Sequence, residues 1–335
     1  MAIDPAAFER YRRSPTARTT LPRMVLGVVV VAACWFGVTL AAIFGGAHGW
    51  ALLGPASETL GANDPVGRFL GTPVGLFATL GSFAGIWLGL WLAMRLLHRE
   101  RLSRLFGNSA SIARAPFIKG FAAVAITSLL TEVAYLALKP EIVRGPVELG
   151  AWVLLLCPLA FFAFVQTSSE ELLFRGYLQR GLASRFRSPI VWAVLPTLVF
   201  AALHWNPASV LAMNIAVMIA IGAFSALLAL LVYATGNLGA AMGAHLGNNL
   251  IGFALISHDR TLGGLALFQA APLDSLAWTP AETLLIAGTS LASILVTGLL
   301  LLHPRSPLKV GPDAADPEQG GSPVSPAREQ EPAQP

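Results

Sequence analysis

Long runs of apolar residues, separated by short polar connections, occupy most of the chain. Each run is close to the ~20 residues that an α-helix needs to cross the ~30 Å hydrocarbon core of a bilayer. The fourth run is longer, so we expect that helix to tilt or to project beyond the bilayer. The pattern predicts an all-α, polytopic transmembrane helical bundle with about eight spans. The predicted spans are residues 24–46, 74–97, 117–138, 150–182, 189–206, 209–233, 238–257 and 282–302.

Polar segments at both ends complete the predicted domain organisation. The first 23 residues are polar and rich in Arg. The last segment is rich in Pro, Gly, Ser and acidic residues and cannot bury a core, so we expect it to be disordered. The predicted units are a basic N-terminal segment, a set of N-terminal helices, a central helical core, a loop with the last helix, and a disordered tail. Their boundaries are 1–23, 24–145, 146–257, 258–303 and 304–335.

Composition supports the membrane assignment. Charged residues make up 12% of the 335 residues and hydrophobic residues 55%, whereas a soluble domain carries about 25% charged residues. The net charge of +4 comes from basic residues at the ends of apolar runs. No basic stripe interleaved with aromatic residues is present, so nucleic acid is not an expected partner. The expected partner is the lipid bilayer.

Basic residues concentrate in alternate connections between the predicted spans. Positively charged loops stay on the cytoplasmic side of a membrane. We therefore expect a multi-pass integral membrane protein with both termini in the cytoplasm, in the inner membrane if the source is bacterial. The basic-rich segments contain Arg10, Arg12, Arg13, Arg18 and Arg23; Arg95, Arg99, Arg101, Arg104, Arg114 and Lys119; Arg180, Arg185 and Arg187; and Arg305 and Lys309.

The second span carries Gly81, Gly85 and Gly89, spaced four residues apart. Small residues at this spacing form one helix face and let two helices approach closely. We expect this stripe to pack against another helix and to carry no chemistry.

Ionisable residues inside a membrane span are costly and usually functional. Glu132 lies near the outer end of its span, and we expect it to reach solvent or the lipid headgroups. His48, His98, His258 and His303 lie in loops or at span ends, where an ordinary interfacial role suffices. The remaining candidates are Glu170, Glu171, Arg175, His204 and His245, with Asn214, Asn248 and Asn249 as neutral polar additions.

Two adjacent glutamates are the most informative pair. Glu171 and Arg175 are four residues apart, so they can form an ion pair on one helix face. Glu170 lies about 100° further round the helix and faces a different neighbour. One interpretation is a buried ion pair that only joins helices, but such pairs stabilise weakly. An additional carboxylate beside the pair favours a functional site.

Depth in the membrane connects Glu170 with a histidine on the next helix. Arg187, in the turn between the two helices, follows Glu170 by 17 positions and precedes His204 by 17. At 1.5 Å per residue, both side chains lie about 25 Å along their helices from the turn. His245 and Asn249, at i and i+4, share one face of a third helix. A lone intramembrane His is often an ordinary core residue, but two His and a Glu at one location predict a site.

A carboxylate, two imidazoles and an amide in a shielded pocket suit peptide hydrolysis. The carboxylate can deprotonate a water molecule, and His and Asn can donate hydrogen bonds to the oxyanion that forms. Neither the G-x-S-x-G pattern of serine hydrolases nor the H-E-x-x-H pattern of zinc proteases occurs.

Three motifs carry a resemblance to a known family. They are Glu-Glu-x-x-x-Arg at 170–175, Phe-x-x-x-His at 200–204 and His-x-x-x-Asn at 245–249. In this order, over residues 150–257, the chain resembles the CAAX-protease and bacteriocin-processing family, which includes type II CAAX prenyl endopeptidases and lysostaphin resistance protein A-like proteins. The resemblance implies a helical membrane protease. Its implied catalytic residues are Glu170 as the base, with His204, His245 and Asn249, supported by Glu171 and Arg175.

The resemblance leaves the cofactor and the substrate open. Family members are commonly labelled metalloproteases, and Glu170, His204 and His245 could be three zinc ligands around an open position. They could equally act as base and oxyanion donors without a metal, which is the interpretation that we favour. The implied substrate is a membrane-associated peptide or protein, either a prenylated CAAX tail or a leader peptide.

Two other functions are compatible with the same residues. A non-proteolytic immunity or binding protein could keep the pocket to hold a peptide. A proton-coupled transporter could use the Glu and His residues as a relay, but it would be expected to show repeat symmetry or matching broken helices. The sequence shows neither, and the intact Glu170 and His204 favour the protease.

Overall fold

Helices dominate the computed structural model, which describes residues 3, 5–13, 18–53, 64–138, 142–259 and 262–313. Among these residues, six helices are long and apolar enough to cross a membrane. The predicted all-α polytopic bundle is therefore confirmed. The helices are α1 Pro5–Arg12, α2 Leu21–Leu53, α3 Pro65–Leu70, α4 Pro73–His98, α5 Arg114–Leu138, α6 Leu149–Ala183, α7 Ile190–Ala202, α8 Leu211–Thr235, α9 Gly239–Leu250 and α10 Pro280–Leu302.

The fifth and seventh predicted spans are shorter than expected. Helix α7 falls below 18 residues, and α9 has 12 residues followed by a π-helical turn at Ile251–Leu255. Every residue from Gly239 to Gly247 is buried, so α9 lies inside the bundle. Apolar runs do not distinguish a helix buried by protein from one buried by lipid, and the predicted count of eight spans included both kinds.

The predicted glycine stripe on α4 packs against another helix, as expected. A Cβ atom at Gly89 would lie 2.5 Å from the Cα atom of Val31, and one at Gly85 would lie 2.7 Å from the Cα atom of Trp35. Both partners are on α2. The backbones of α2 and α4 are therefore in direct contact, with no room for a side chain between them.

A second glycine stripe, which the sequence analysis did not single out, places α9. Gly239, Gly243 and Gly247 are four residues apart, and they face the backbone of α5 and of Ala113 just before it. A Cβ atom at Gly243 would lie 2.0 Å from the carbonyl oxygen of Phe117. The turn before α9 is formed by Gly236, which has a left-handed conformation with φ of 66°. This tight contact fixes the rotation of α9, and with it the direction of His245.

Gly243→Leu is expected to lower the free energy of unfolding by about 3 kcal/mol, because the new side chain meets a backbone carbonyl that cannot move alone. Thermal unfolding in detergent measures the change. Gly288→Ala on α10 is the matched control, since nothing lies within 4 Å of a Cβ atom there. A Gly243→Leu protein as stable as the control would contradict the tight packing of α9 on α5.

Segments from five parts of the chain meet at one end of the bundle. Asn108 donates to the carbonyl of Ala7 over 2.9 Å, and Arg12 donates to that of Ala183 over 2.7 Å. Asp313 accepts hydrogen bonds from the backbone N–H of Ser109 and from the side chain of Asn237. The basic-rich segments predicted to share one side of the membrane are therefore neighbours.

The first ten residues of the predicted disordered tail are described by the structure. Residues 304–313 pack on the same end of the bundle, where Lys309 accepts a hydrogen bond from Lys119 over 2.7 Å and Val310 is buried. The composition of this segment did not reveal these contacts, because they depend on loops that are distant in sequence. The remainder of the predicted tail, 314–335, lies outside the described residues.

The opposite end carries a small sheet in the described part of the chain. Strand β1 (Ile142–Arg144) pairs with β3 (Phe268–Ala270) in antiparallel orientation, and β2 (Ile256–Ser257) pairs with β3 in parallel orientation. The sheet links the connection before α6 to the segment after α9. It therefore closes the bundle near the helices that carry the polar residues.

Candidate active site

Helix α6 places the two glutamates side by side. A π-helical segment, Leu172–Gln179, begins directly after Glu171, and such segments are frequent at functional sites. The predicted pair is present: the Nη1 atom of Arg175 lies 2.9 Å from the Oε1 atom of Glu171, and the two residues are 2% and 0% exposed. Both charges are therefore compensated inside the protein.

Arg175 also connects α6 to two other helices. Its Nη2 atom donates to the hydroxyl of Ser225 over 2.7 Å and to the carbonyl of the same residue over 3.1 Å. Its guanidinium carbon lies 4.9 Å from the centre of the Phe200 ring, a cation–π contact with α7. Arg175 thus stabilises the ion pair and holds the helices around it.

Glu170 faces a different direction, as its position on the helix predicts. Its Oε1 atom accepts a hydrogen bond from Gln166 over 2.7 Å. Its Oε2 atom is buried without a hydrogen-bond partner among the described residues and lies 3.6 Å from the Nε2 atom of His245. One carboxylate oxygen is therefore fixed, while the other can accept a proton.

His245 lies between the two glutamates. Its Nδ1 atom is 2.8 Å from the Oε1 atom of Glu171, and because a carboxylate accepts hydrogen bonds, Nδ1 carries the proton that is donated. The Nε2 atom then points towards Glu170. His245 is therefore in reach of both carboxylates.

His204 is an exposed residue that directly follows α7. Its Nδ1 atom lies 2.8 Å from the carbonyl oxygen of Phe200, which leaves Nε2 to face outwards. His204 is within electrostatic range of Glu170. The Phe200 ring lies between the histidines, with its centre 4.9 Å from that of His204 and 6.0 Å from that of His245. The Phe-x-x-x-His motif therefore brings both residues into the site.

Gln166 and Asn249 complete the hydrogen-bond network. Asn249 donates to the Oε1 atom of Gln166 over 2.9 Å, and Gln166 donates to Glu170. Gln166 is missing from the residues that the sequence predicts for the site. A signal was present, because Gln166 is a polar residue four positions before Glu170 on the same helix face. Asn248 contributes through Asn249, whose Oδ1 atom accepts its hydrogen bond.

Asn214, another polar residue noted in the sequence, forms hydrogen bonds with the loop between α7 and α8. Its side chain accepts a hydrogen bond from the backbone N–H of Asn206 over 2.9 Å and donates to the carbonyl of the same residue over 2.7 Å. It also donates to the carbonyl of Ser209. Asn214 therefore fixes the loop between α7 and α8, directly after His204.

Glu132 does not simply reach solvent, contrary to the expectation from the sequence. Its Oε2 atom lies 3.2 Å from the Nε2 atom of His258, and each side chain is 20% exposed. Burial alone would lower the pKa of His258, but the hydrogen bond and charge of Glu132, with the carbonyl of Ala271, raise it overall. The pairing was not predicted because the partners are more than 120 residues apart.

A cavity of about 610 Å³ opens beside the cluster. His204, Phe224 and Asn248 line it, and the ring of Phe224 lies 6.0 Å from that of His245. Glu132 and His258 also line it. The cavity therefore adjoins both His204 and the Glu132–His258 pair.

The three zinc ligands considered from the sequence are Glu170, His204 and His245. Within the described ranges, no group of three His, Cys, Asp or Glu side chains could hold a metal ion. His245 uses Nδ1 to bind Glu171, and His204 uses Nδ1 to bind the carbonyl of Phe200. Both hydrogen bonds leave the Nε2 atom free, as in metal-bound histidines, so the metal-free role of Glu170, His204 and His245 stays a prediction.

Comparison with known proteins identifies the region that carries the cluster. Residues 150–251 match the family described as "Type II CAAX prenyl endopeptidase Rce1-like". No curated protein and no solved structure matches the chain. The matched region runs from the start of α6 to the end of α9 and contains every residue predicted for the site. Over residues 150–251, the chain is therefore similar to the CAAX-protease family that its three motifs resemble.

Proposed function

We propose that this protein is an intramembrane endopeptidase that hydrolyses a peptide bond of a membrane-associated peptide or protein. The arrangement of Glu170 carries the proposal. One of its oxygens is fixed by Gln166, and the other faces His245 at 3.6 Å with no hydrogen-bond partner in the described structure. A carboxylate held in this way can act on a water molecule. The family match supports peptide hydrolysis as the reaction.

In the proposed reaction, Glu170 acts as the general base. Its Oε2 atom accepts a proton from water while the water oxygen bonds to the carbonyl carbon of the substrate. The carbonyl oxygen becomes an oxyanion, which takes hydrogen bonds from Asn249 and from whichever of His204 and His245 also carries a proton on Nε2. The bond between carbon and nitrogen then breaks, and Glu170 transfers its proton to the leaving amine. Asn249 can take part because its amide has two N–H donors, of which Gln166 uses one.

Glu171 and Arg175 act on the reaction through His245. The carboxylate of Glu171 accepts a hydrogen bond from Nδ1–H of His245, which fixes both the tautomer and the orientation of the ring. The Nε2 atom of His245 is then directed at Glu170. Arg175 forms the buried ion pair with Glu171. We therefore assign positioning roles to this pair and the chemical steps to Glu170, His204, His245 and Asn249.

A cleavage assay tests the proposal directly. Protein reconstituted in liposomes is incubated with a library of membrane-associated peptides, including prenylated CAAX and leader peptides, and products are identified by mass spectrometry. Cleavage that disappears in Glu170→Ala supports the proposal. A protein that binds peptides and cleaves none would instead be a binding or immunity protein, and proton-coupled uptake into the liposomes would indicate a transporter.

We further propose that both termini face the cytoplasm. The basic-rich segments are neighbours at one end of the bundle, and positive charge is retained on the cytoplasmic side. Reporter fusions after residues 108, 187 and 335 are expected to give a cytoplasmic signal, and fusions after residues 60 and 144 the opposite one. An extracytoplasmic signal after residue 108 or residue 335 would contradict this topology.

Proteolysis is expected to survive treatment with a membrane-permeant chelator, because the proposed steps use protein groups alone. Cleavage is measured before and after exhaustive chelation, with thermal unfolding as a check that the protein stays folded. The metal content of the purified protein is determined in parallel. Reproducible loss of activity that returns on addition of zinc would assign His204 and His245 as metal ligands instead.

A further inference from the structure

Three side-chain amides form a continuous chain of hydrogen bonds that ends on Glu170. Asn248 donates to the Oδ1 atom of Asn249 over 3.1 Å, and Asn249 donates to the Oε1 atom of Gln166 over 2.9 Å. Gln166 then donates to the Oε1 atom of Glu170 over 2.7 Å. The chain crosses from the end of α9 to α6, so it joins two of the helices that carry the proposed catalytic residues.

The charge of Glu170 determines the direction of this amide chain. As the base of the proposed reaction, Glu170 is a carboxylate, which can only accept hydrogen bonds. Gln166 must therefore turn its amide nitrogen towards Glu170, and its carbonyl oxygen then faces Asn249. Asn249 must turn its own nitrogen towards that oxygen, and Asn248 must donate to the oxygen that Asn249 has left. One negative charge thus orients every amide in the chain.

This direction has two consequences for the proposed reaction. The chain occupies the Oε1 atom of Glu170, so the buried Oε2 atom, which has no hydrogen-bond partner among the described residues, is left to take the proton. The second N–H group of Asn249 is left to donate to the oxyanion. Gln166 is buried, and turning its amide there would leave polar groups without partners, which is costly.

The amide chain begins at the cavity. Asn248 is exposed and lines the cavity together with His204, whereas Gln166 is buried and does not line it. The first amide can therefore be replaced with little effect on the packing of the helices. Such a replacement changes the chain at the end furthest from Glu170.

We propose that Gln166 and Asn248 are positioning residues of the active site, which hold Glu170 and Asn249 in their reactive orientations through an amide chain of one direction. The inference rests on the proposed proteolytic function and adds two residues to it. It requires that the chain cannot reverse while Glu170 is charged. A side chain at position 248 that only accepts hydrogen bonds is therefore in conflict with Glu170, although two amides separate them.

Asn248→Asp tests the direction of the chain without any measurement of cleavage. The new carboxylate and Glu170 both only accept, so two oxygens must face each other at one link, however the amides turn. The Tm in detergent is expected to fall by about 3 °C, because a polar group that loses its partner costs stability. In the Glu170→Gln background the whole chain can reverse, since the introduced amide can donate. The loss caused by Asn248→Asp should shrink there to about 1 °C.

Asn206→Asp is the matched control. It places the same charge on another exposed residue that lines the cavity, and its Oδ1 atom still accepts the hydrogen bond from the backbone N–H of Ala208. Asn206 is not part of the amide chain, so its effect on Tm should be the same with Glu170 and with Glu170→Gln. An equal loss for Asn248→Asp in both backgrounds, or a control that depends on the background in the same way, would overturn the directed chain.

Cleavage in liposomes tests the positioning role. Gln166→Met removes both hydrogen bonds of Gln166 and keeps an unbranched side chain of similar length. It is expected to lower kcat by about 100-fold, the typical result of misplaced reacting groups. KM should change little, because Gln166 acts only through Glu170 and Asn249. Asn248→Asp should lower kcat by about tenfold, since an Asn249 amide that turns no longer donates to the oxyanion, and Asn206→Asp should stay within about twofold of the wild type.

The two arms separate this inference from the proposed function. A Gln166→Met protein with wild-type kcat, or one in which only KM changes, would overturn the positioning role. If Gln166→Met does not fold, the kcat of Asn248→Asp decides in its place, and a value equal to that of Asn206→Asp would have the same meaning. A Tm loss that depends on Glu170, in a protein that cleaves no peptide, would retain the directed chain and overturn the proteolytic function.

Discussion

Glu170→Gln is expected to lower kcat by about 10³-fold, the typical contribution of a general base. Gln has nearly the same shape as Glu, and its Oε1 atom can still accept the hydrogen bond from Gln166. It cannot take a proton from water. The melting temperature should therefore change little while cleavage is lost. Initial cleavage rates in liposomes and thermal unfolding in detergent give the two values on the same preparation.

Glu148→Gln provides the matched control for this change. Glu148 is exposed at the start of the same helix, and its side chain makes no capping hydrogen bond. The control should keep wild-type activity and stability. If Glu170→Gln retained cleavage within tenfold of the wild type, Glu170 would not be the base. If it unfolded instead, the carboxylate would have a structural role.

The sequence was most informative where the interactions are local. The i, i+4 spacing of Glu171 and Arg175 was sufficient to predict their ion pair, which the structure places at 2.9 Å. The spacing of Gly85 and Gly89 likewise predicted close packing against another helix. Both inferences depend only on helix geometry, which the long apolar runs already indicated.

Interactions between distant segments were harder to predict. Glu132 and His258 meet across the cavity wall, and Gln166 links Glu170 to Asn249 on another helix. Such contacts depend on how the helices rotate and cross, which periodicity does not determine. The burial of α9 was not predicted for the same reason. Its apolar sequence suits lipid and protein surroundings equally, whereas its burial and the contact of Gly243 with α5 show that protein surrounds it.

Arg175→Ala is expected to have the largest effect on stability, about 3–5 kcal/mol, because it leaves a buried carboxylate without its cation. Glu171 is completely buried and would retain only the hydrogen bond from His245. The substitution also removes both hydrogen bonds to Ser225 and the contact with the Phe200 ring. Thermal unfolding in detergent and the yield of folded protein measure the loss.

Two further variants separate the charge from the hydrogen bonds. Ser225→Ala removes one acceptor of Arg175 and should cost only about 1 kcal/mol. Glu171→Leu/Arg175→Met removes both charges, so no carboxylate is left unpaired and much of the stability should return. Activity should not return with it, because His245 loses the acceptor that orients its ring.

An Arg175→Ala protein as stable as the wild type would contradict the buried ion pair. Recovery of activity in the double variant would show that His245 does not need Glu171 for its position.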